Sequence, residues 1–129
     1  MTGRKLADAT AEAALVKKAE DVLLMNVEPV STLCDWMVVC TGDNQFQTRA
    51  IADSIISSCT EKNTPPYLYE GLEDGRWIVI DFTDVLVHVF LPQLAILAIT
   101  AGRHGVAENR CRPWARVHPG GQPALAEAV

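Results

Sequence analysis

Trp77-Ile-Val-Ile-Asp-Phe-Thr-Asp-Val-Leu-Val-His-Val-Phe90 is the stretch that decides the fold. It holds two runs rich in β-branched and aromatic residues, 77–82 and 85–90, joined at the polar bend Asp81-Phe-Thr-Asp84, which is the pattern of a tight β-hairpin. Side chains alternate along a strand, so Trp77, Val79 and Asp81 share one face of the first strand. Leu86, His88 and Phe90 point together on the second, with Asp84 at the bend.

Working outward, Trp36-Met-Val-Val-Cys40 is a near-continuous apolar run that closes on Thr41-Gly42, as a central, doubly covered strand does. Asp21-Val-Leu-Leu-Met-Asn-Val27 is another strand, ended by Glu28-Pro29, and residues 31–35 form a polar turn. Residues 45–61 place Ala50, Ile51, Ile55, Ile56 and Cys59 on one helical face. An earlier helix over residues 8–19 carries Leu15, Val16 and Ala19, with Asp8 or Thr10 as its cap. Asn63-Thr-Pro-Pro66 breaks the chain before a short strand at 67–70 and a loop at 71–75. The order is helix, strand, strand, helix, then three strands. This predicts an α/β (α+β) single domain, with a mixed sheet of about five strands and flanking helices.

The composition agrees with one globular domain: 129 residues, 49% apolar and 21% charged, with a net charge of −5. No apolar run approaches the ~20 residues of a membrane helix, and no signal-peptide core follows Arg4-Lys5. A cytoplasmic protein without membrane attachment is expected. The charge is uneven. Residues 1–92 carry 7 basic against 14 acidic side chains, while residues 93–129 carry 4 against 2. An acidic body repels phosphate backbones and attracts basic proteins, so direct nucleic-acid binding by the main domain is not expected.

No motif points to catalysis. Cys34, Cys40, Cys59 and Cys111 lack metal-ligand spacing; Cys34 and Cys40 flank a strand, but a cytoplasmic chain argues against a structural bridge. Asp81, Asp84 and His88 could serve acid–base or metal chemistry, with Asp35 as a third carboxylate, yet they fit equally a hairpin turn and a half-buried histidine. Thr41-Gly42-Asp43-Asn44 has one glycine and no phosphate-loop lysine, so it reads as a plain strand-to-helix turn. A binding surface has more support. Glu70-Gly71 and Gly75-Arg76-Trp77 set an arginine and a tryptophan beside the acids Glu70, Glu73 and Asp74, and tryptophan and arginine are common interface anchors. Trp77 either meets a partner or fills the core; its position in the strand fits both.

Taken in order, these residues resemble a known family. Ala19-Glu20-Asp21, Ser31 to Asp35 with Val38 and Thr41-Gly42, Ala50-Ile-Ala-Asp53, Glu70-Gly71, Gly75-Arg-Trp77 with Asp81, and Asp84-Val-x-Val-His-Val-Phe90 are similar to the ribosomal silencing factor (RsfS, or Iojap) family. The likeness spans about residues 15–92. It implies a domain at 1–92 with a nucleotidyltransferase-like fold and no enzymatic activity, cofactor or metal. It also implies a translation repressor that binds the large ribosomal subunit through ribosomal protein fourteen and blocks joining of the small subunit when nutrients are scarce. By position, the docking surface implied is Glu70, Gly71, Arg76, Trp77, Asp81, Asp84 and His88. Two other readings stand beside it: a nucleotidyltransferase-like metal-dependent enzyme using Asp35, Asp81 or Asp84, and self-association through the hairpin as a homodimer.

Two departures from the family pattern stand out. Asn44-Gln45-Phe46-Gln47 replaces the residues usual after Thr-Gly. Beyond Leu91-Pro92-Gln93 the chain turns to Ala, Gly, Pro and Arg where the family carries an aromatic helix. Residues 93–129 therefore read as an atypical segment, a frame-shifted or unrelated replacement: a short helix at 94–100 and then disorder from about residue 103.

Overall fold

The computed structural model describes residues 1–29, 34–94 and 111–113, the last three as backbone. The elements are α1 (Gly3–Val16), β1 (Glu20–Asn26), β2 (Trp36–Thr41), α2 (Gln45–Glu61), β3 (Leu68–Glu70), β4 (Trp77–Asp81), β5 (Val85–Phe90) and β6 (Cys111–Pro113). A single 3-10 turn, Pro92–Leu94, follows β5. The mixed α+β sheet is as expected, with a sixth, three-residue strand that the sequence pattern did not indicate. The expected helix at 94–100 and most of the tail lie outside the described residues, as do residues 30–33 of the expected polar turn.

The strand order is β3-β4-β5-β2-β1-β6. Among the described residues, only β2 and β5 pair in parallel, over six residue pairs from Trp36–Val85 to Thr41–Phe90. The β1–β2, β1–β6, β3–β4 and β4–β5 pairs are antiparallel. The β4–β5 hairpin is closed at Phe82-Thr83-Asp84 by hydrogen bonds between Phe82 N–H and the Val85 carbonyl and between Asp84 N–H and the Phe82 carbonyl. Thr83 takes φ +80° there. Asp21, at φ +50°, sits in the irregular register between Glu20 and Leu23 of β1, a bulge that bends the strand's start.

Both helices cover one face of the sheet. Val22, Leu24, Val38, Cys40, Ile78, Ile80, Val85, Val87 and Val89 pack there against Leu6, Ala7, Ala11 and Ala14 of α1 and Ile51, Ala52, Ile55 and Cys59 of α2. Helix α1 begins five residues earlier than expected. Asp8 does not cap it: Asp8 pairs with Arg4 at i,i+4 across 2.9 Å, and the buried Thr10 hydroxyl donates to the Ala7 carbonyl. The buried stripe is Leu6, Ala7, Thr10, Ala11 and Ala14, so Val16 falls on the far side and is 72% exposed. Alanines dominate because α1 lies close against α2, where Ser54 donates to the Ala13 carbonyl at 2.8 Å. A larger side chain in that contact would overpack it. Ala11→Leu is expected to cost about 1–3 kcal/mol, read as a lower denaturation midpoint with an unchanged slope.

Candidate partner-binding face

No helix among the described residues covers the opposite face of the sheet. The strand register sets three rows across it: Asp81–Leu86–Met37–Met25, then Glu70–Val79–His88–Val39–Leu23, then Trp77–Phe90–Thr41. Met25, Val39 and Phe90 are buried, while Leu23, Met37, Trp77 and Leu86 are half-buried around them. The alternation expected for Trp77, Val79 and Asp81 against Leu86, His88 and Phe90 is what the pairing produces.

Trp77 packs into the open-face cluster and stays half-buried. Its ring packs on Phe90 at 5.7 Å between centroids and lies edge-on to His88 at 6.0 Å. The indole Nε1–H donates to His88 Nδ1 at 2.9 Å, which leaves part of the ring exposed at the sheet surface. A histidine that accepts at Nδ1 carries its proton on Nε2 and is neutral. Burial reinforces this by holding the His88 pKa down at about 4. The pair therefore presents a rigid, uncharged aromatic surface at neutral pH.

Acidic groups border that half of the face. The Asp81 carboxylate accepts from Thr83 N–H at 2.7 Å and stays partly exposed. Glu70, on the edge strand β3 opposite Val79, is exposed. Arg76 extends outward and pairs with Asp74 at 2.8 Å with both side chains largely in solvent, so it is a rim group and not a buried anchor. Gly71 has φ +83°, and a Cβ there would lie 2.2 Å from the Trp77 carbonyl. Its part is to let the 71–75 loop close against β4.

Asp84 stands apart from the others. Its carboxylate accepts from Gly3 N–H at 2.6 Å, where it satisfies one of the free donors at the start of α1 on the helix-covered side. The structure also brings Asp35 next to it, since Asp35 N–H donates to the Asp84 carbonyl, a neighbour that sequence spacing did not reveal. Among the described residues, no three His, Cys, Asp or Glu groups are placed to hold a metal ion. Cys34 belongs to the open-face cluster and Cys40 to the helix-side core, so a strand separates the two. Burial pushes the Cys40 thiol up to about 12.

Some contributors to the site carried no signal in the hairpin. The Asn44 side chain caps α2 by accepting from Gln47 N–H at 2.9 Å, and Gln47 Oε1 accepts from Asp43 N–H at 2.6 Å. The Asn-x-x-Gln spacing of residues 44–47 could have indicated this cap. The same turn holds the acidic loop: Gln45 donates to the Asp74 carbonyl, Arg49 to the Glu73 carbonyl and Thr48 to the Gly75 carbonyl. Phe46, 80% exposed, lies under the Arg49 guanidinium at 5.3 Å.

Residues 1–94 match the family described as "Ribosomal silencing factor during starvation". Relatives named ribosomal silencing factor RsfS include one from Bacillus subtilis, 36% identical over 57% of this chain and 63% of that protein. Another is from Halalkalibacterium halodurans, 34% identical over 70% of this chain and 77% of the relative. A crystal structure of a Chromobacterium violaceum protein superimposes with a TM-score of 0.76 at 29% identity, covering 88% of this chain and 99% of that one. A Bacillus halodurans structure gives 0.70 at 31% identity, covering 77% and 93%.

Two outcomes test the assigned roles. Between pH 6.5 and 4 the unfolded chain protonates His88 and the native chain does not, so this group's stabilising contribution is complete above pH 6.5 and is lost as pH falls toward 4. The stability of His88→Gln is expected to depend less steeply on pH than the parent's over that window in denaturant titrations. Asp84→Ala is expected to lose about 1–2 kcal/mol through the unsatisfied helix start, with the Trp77 fluorescence maximum unchanged.

Proposed function

This chain belongs to the ribosomal silencing factor family, and on that premise we propose that it represses translation by occupying the large ribosomal subunit in the cytoplasm and keeping the small subunit away. The observation that carries the reading is the family match over residues 1–94, which contains every residue of the Trp77–His88 face. The proposed contact is ribosomal protein fourteen. Ribosomal proteins are typically basic, and the acidic body of this chain would steer such a partner and set its orientation. Trp77, packed on Phe90 and hydrogen-bonded to His88, is a pre-ordered anchor that loses little side-chain freedom on binding. Glu70 and Asp81 stand as charged neighbours, Gly71 and Arg76 shape the rim, and Asp84 holds the hairpin to α1.

A steric mechanism requires an interface of at least ~1,000 Å² placed where the small subunit must dock. It requires no reaction, cofactor or metal. The enzyme alternative would hold a metal through Asp35, Asp81 or Asp84, but among the described residues no three His, Cys, Asp or Glu groups are placed to hold one, the Asp84 carboxylate accepts from Gly3 N–H and that of Asp81 from Thr83 N–H. Self-association has one observation in its favour: the edge strand β3 and its approach expose Tyr67, Leu68 and Tyr69, a margin open to pairing with a second copy.

The test is sedimentation of the purified chain with separated subunits, followed by addition of small subunits. Co-sedimentation with the large subunit and fewer joined ribosomes are expected. The double charge reversal Glu70→Lys with Asp81→Lys is expected to weaken binding at least tenfold. Unchanged binding by that folded variant would remove this face from the interface.

A further inference from the structure

The strand register divides the peptide groups of β3 between the sheet and solvent. Phe82 N–H donates to the Val85 carbonyl, so Phe82 turns its backbone toward β5. Successive residues of a strand turn their backbone groups to opposite sides, so Ile80 also faces β5 while Asp81 and Val79 face β3. Tyr67 N–H, which donates to the Asp81 carbonyl at 2.7 Å, agrees with this. Asp81 is in register with Leu68 and Val79 with Glu70, so Leu68 and Glu70 direct their backbone groups into the sheet. Tyr69, between them, turns its N–H and carbonyl outward. Strand β3 ends the sheet, and no described element lies beyond it.

Sheet edges are commonly guarded by lysine or proline within the strand. Residues 67–70 contain neither, and Tyr67, Leu68 and Tyr69 are 76%, 41% and 49% exposed. Pro65-Pro66 stand just before them, and their fixed φ favours an extended approach to the strand. The edge is therefore ordered, apolar and open.

Charge selects its occupant. Residues 67–81 hold Glu70, Glu73, Asp74 and Asp81 against Arg76 alone. Arg76 is paired with Asp74, whereas the Glu70 and Glu73 carboxylates pair with no cation among the described residues. Both line a cleft at the end of β3, together with Tyr69, Gly71, Leu72 and Asp74. A long cationic side chain lying there would meet two carboxylates and an aromatic ring. A second copy of this chain would instead bring its own net charge of −5 against the same margin.

We propose that the β3 edge takes an extended segment of a basic partner protein as an added strand. The segment's backbone pairs with the outward N–H and carbonyl of Tyr69, an apolar side chain lies beside Leu68, and a lysine or arginine reaches Glu70 and Glu73. Leu68 and Glu70 stand in the rows of Asp81 and Val79, so the added strand widens the open face that carries Trp77. The inference rests on the proposed function for the partner and deepens it by naming how that partner is held.

Hydrogen exchange of the full chain, read by mass spectrometry with and without purified large ribosomal subunits, tests it. Exchange at the Tyr69 amide is expected to be rapid in the free chain and at least tenfold slower in the complex. Co-sedimentation with unchanged exchange there would overturn the edge proposal and leave the proposed function standing. Failure of the folded chain to co-sediment would overturn both. Slow exchange in the free chain, with a dimer mass by light scattering, would give the edge to a second copy and also overturn it. As an independent measure, Tyr69→Pro removes an N–H that the sheet does not use, a change that edge strands tolerate. With parent-like circular dichroism it should bind large subunits at least tenfold more weakly, while Tyr69→Val, which keeps the N–H, stays within threefold of the parent. Equal binding by a folded Tyr69→Pro variant would overturn the proposal. Glu70→Gln with Glu73→Gln should weaken binding at least threefold and reduce its dependence on salt; unchanged binding and salt dependence would overturn the basic character of the occupant.

Discussion

Parallel pairing of β2 with β5 is the constraint on which the rest of this molecule depends. It joins residues 36–41 to residues 85–90, and a parallel pair cannot be closed by a tight turn. The intervening chain must leave the sheet, cross it and return. Helix α2 makes that crossing, and the strands that follow it add to the far side of β5. With β2 between β5 and β1, both of its edges are hydrogen-bonded, and Val38, Val39 and Cys40 are all buried. Polar atoms survive there only where they are paired, as in the Thr41 hydroxyl donating to the Glu20 carbonyl.

The same pairing divides the protein into two surfaces with different work. On the helix side, small alanines of α1 and aliphatic residues of α2 close the main core, and Asp84 ties the hairpin bend to the first turn of α1. On the other side, the register lines up Trp77, Phe90 and His88, so that a hydrogen bond and two ring contacts stiffen one patch. A neutral, fixed aromatic patch beside carboxylates combines apolar contact with long-range attraction for a basic protein. The family to which the chain belongs is that of the ribosomal silencing factors, and the proposed function assigns its contact to this patch.

The loop preceding β4 illustrates how distant sequence supports that patch. Gly71 must adopt a left-handed conformation with its α-carbon against the Trp77 carbonyl. The loop is then held from outside by Gln45, Thr48 and Arg49 of the first turns of α2. The Asn44-Gln45-Phe46-Gln47 departure from the family pattern is thus a helix cap and loop clamp. It changes what the loop presents, including the exposed Phe46, and leaves α2 properly started.

Local chemistry in the sequence was enough for much of this. Alternation in residues 77–90 determined the hairpin and which side chains share a face, because a pleated strand has a period of two whatever surrounds it. The apolar run of residues 36–40 determined a central strand, and the acidic excess of residues 1–92 determined the sign of the domain's own charge. Tertiary structure alone decided the rest. The start of α1 and the exposure of Val16 were settled by which stripe of alanines fits against α2, and an alanine-rich segment has little periodicity to reveal that. The Trp77–His88 bond, the meeting of Asp84 with Gly3 and the neighbouring of Asp35 and Asp84 join residues 11, 81 and 49 positions apart. Such contacts follow from strand order and register, which are global packing choices that no local spacing encodes.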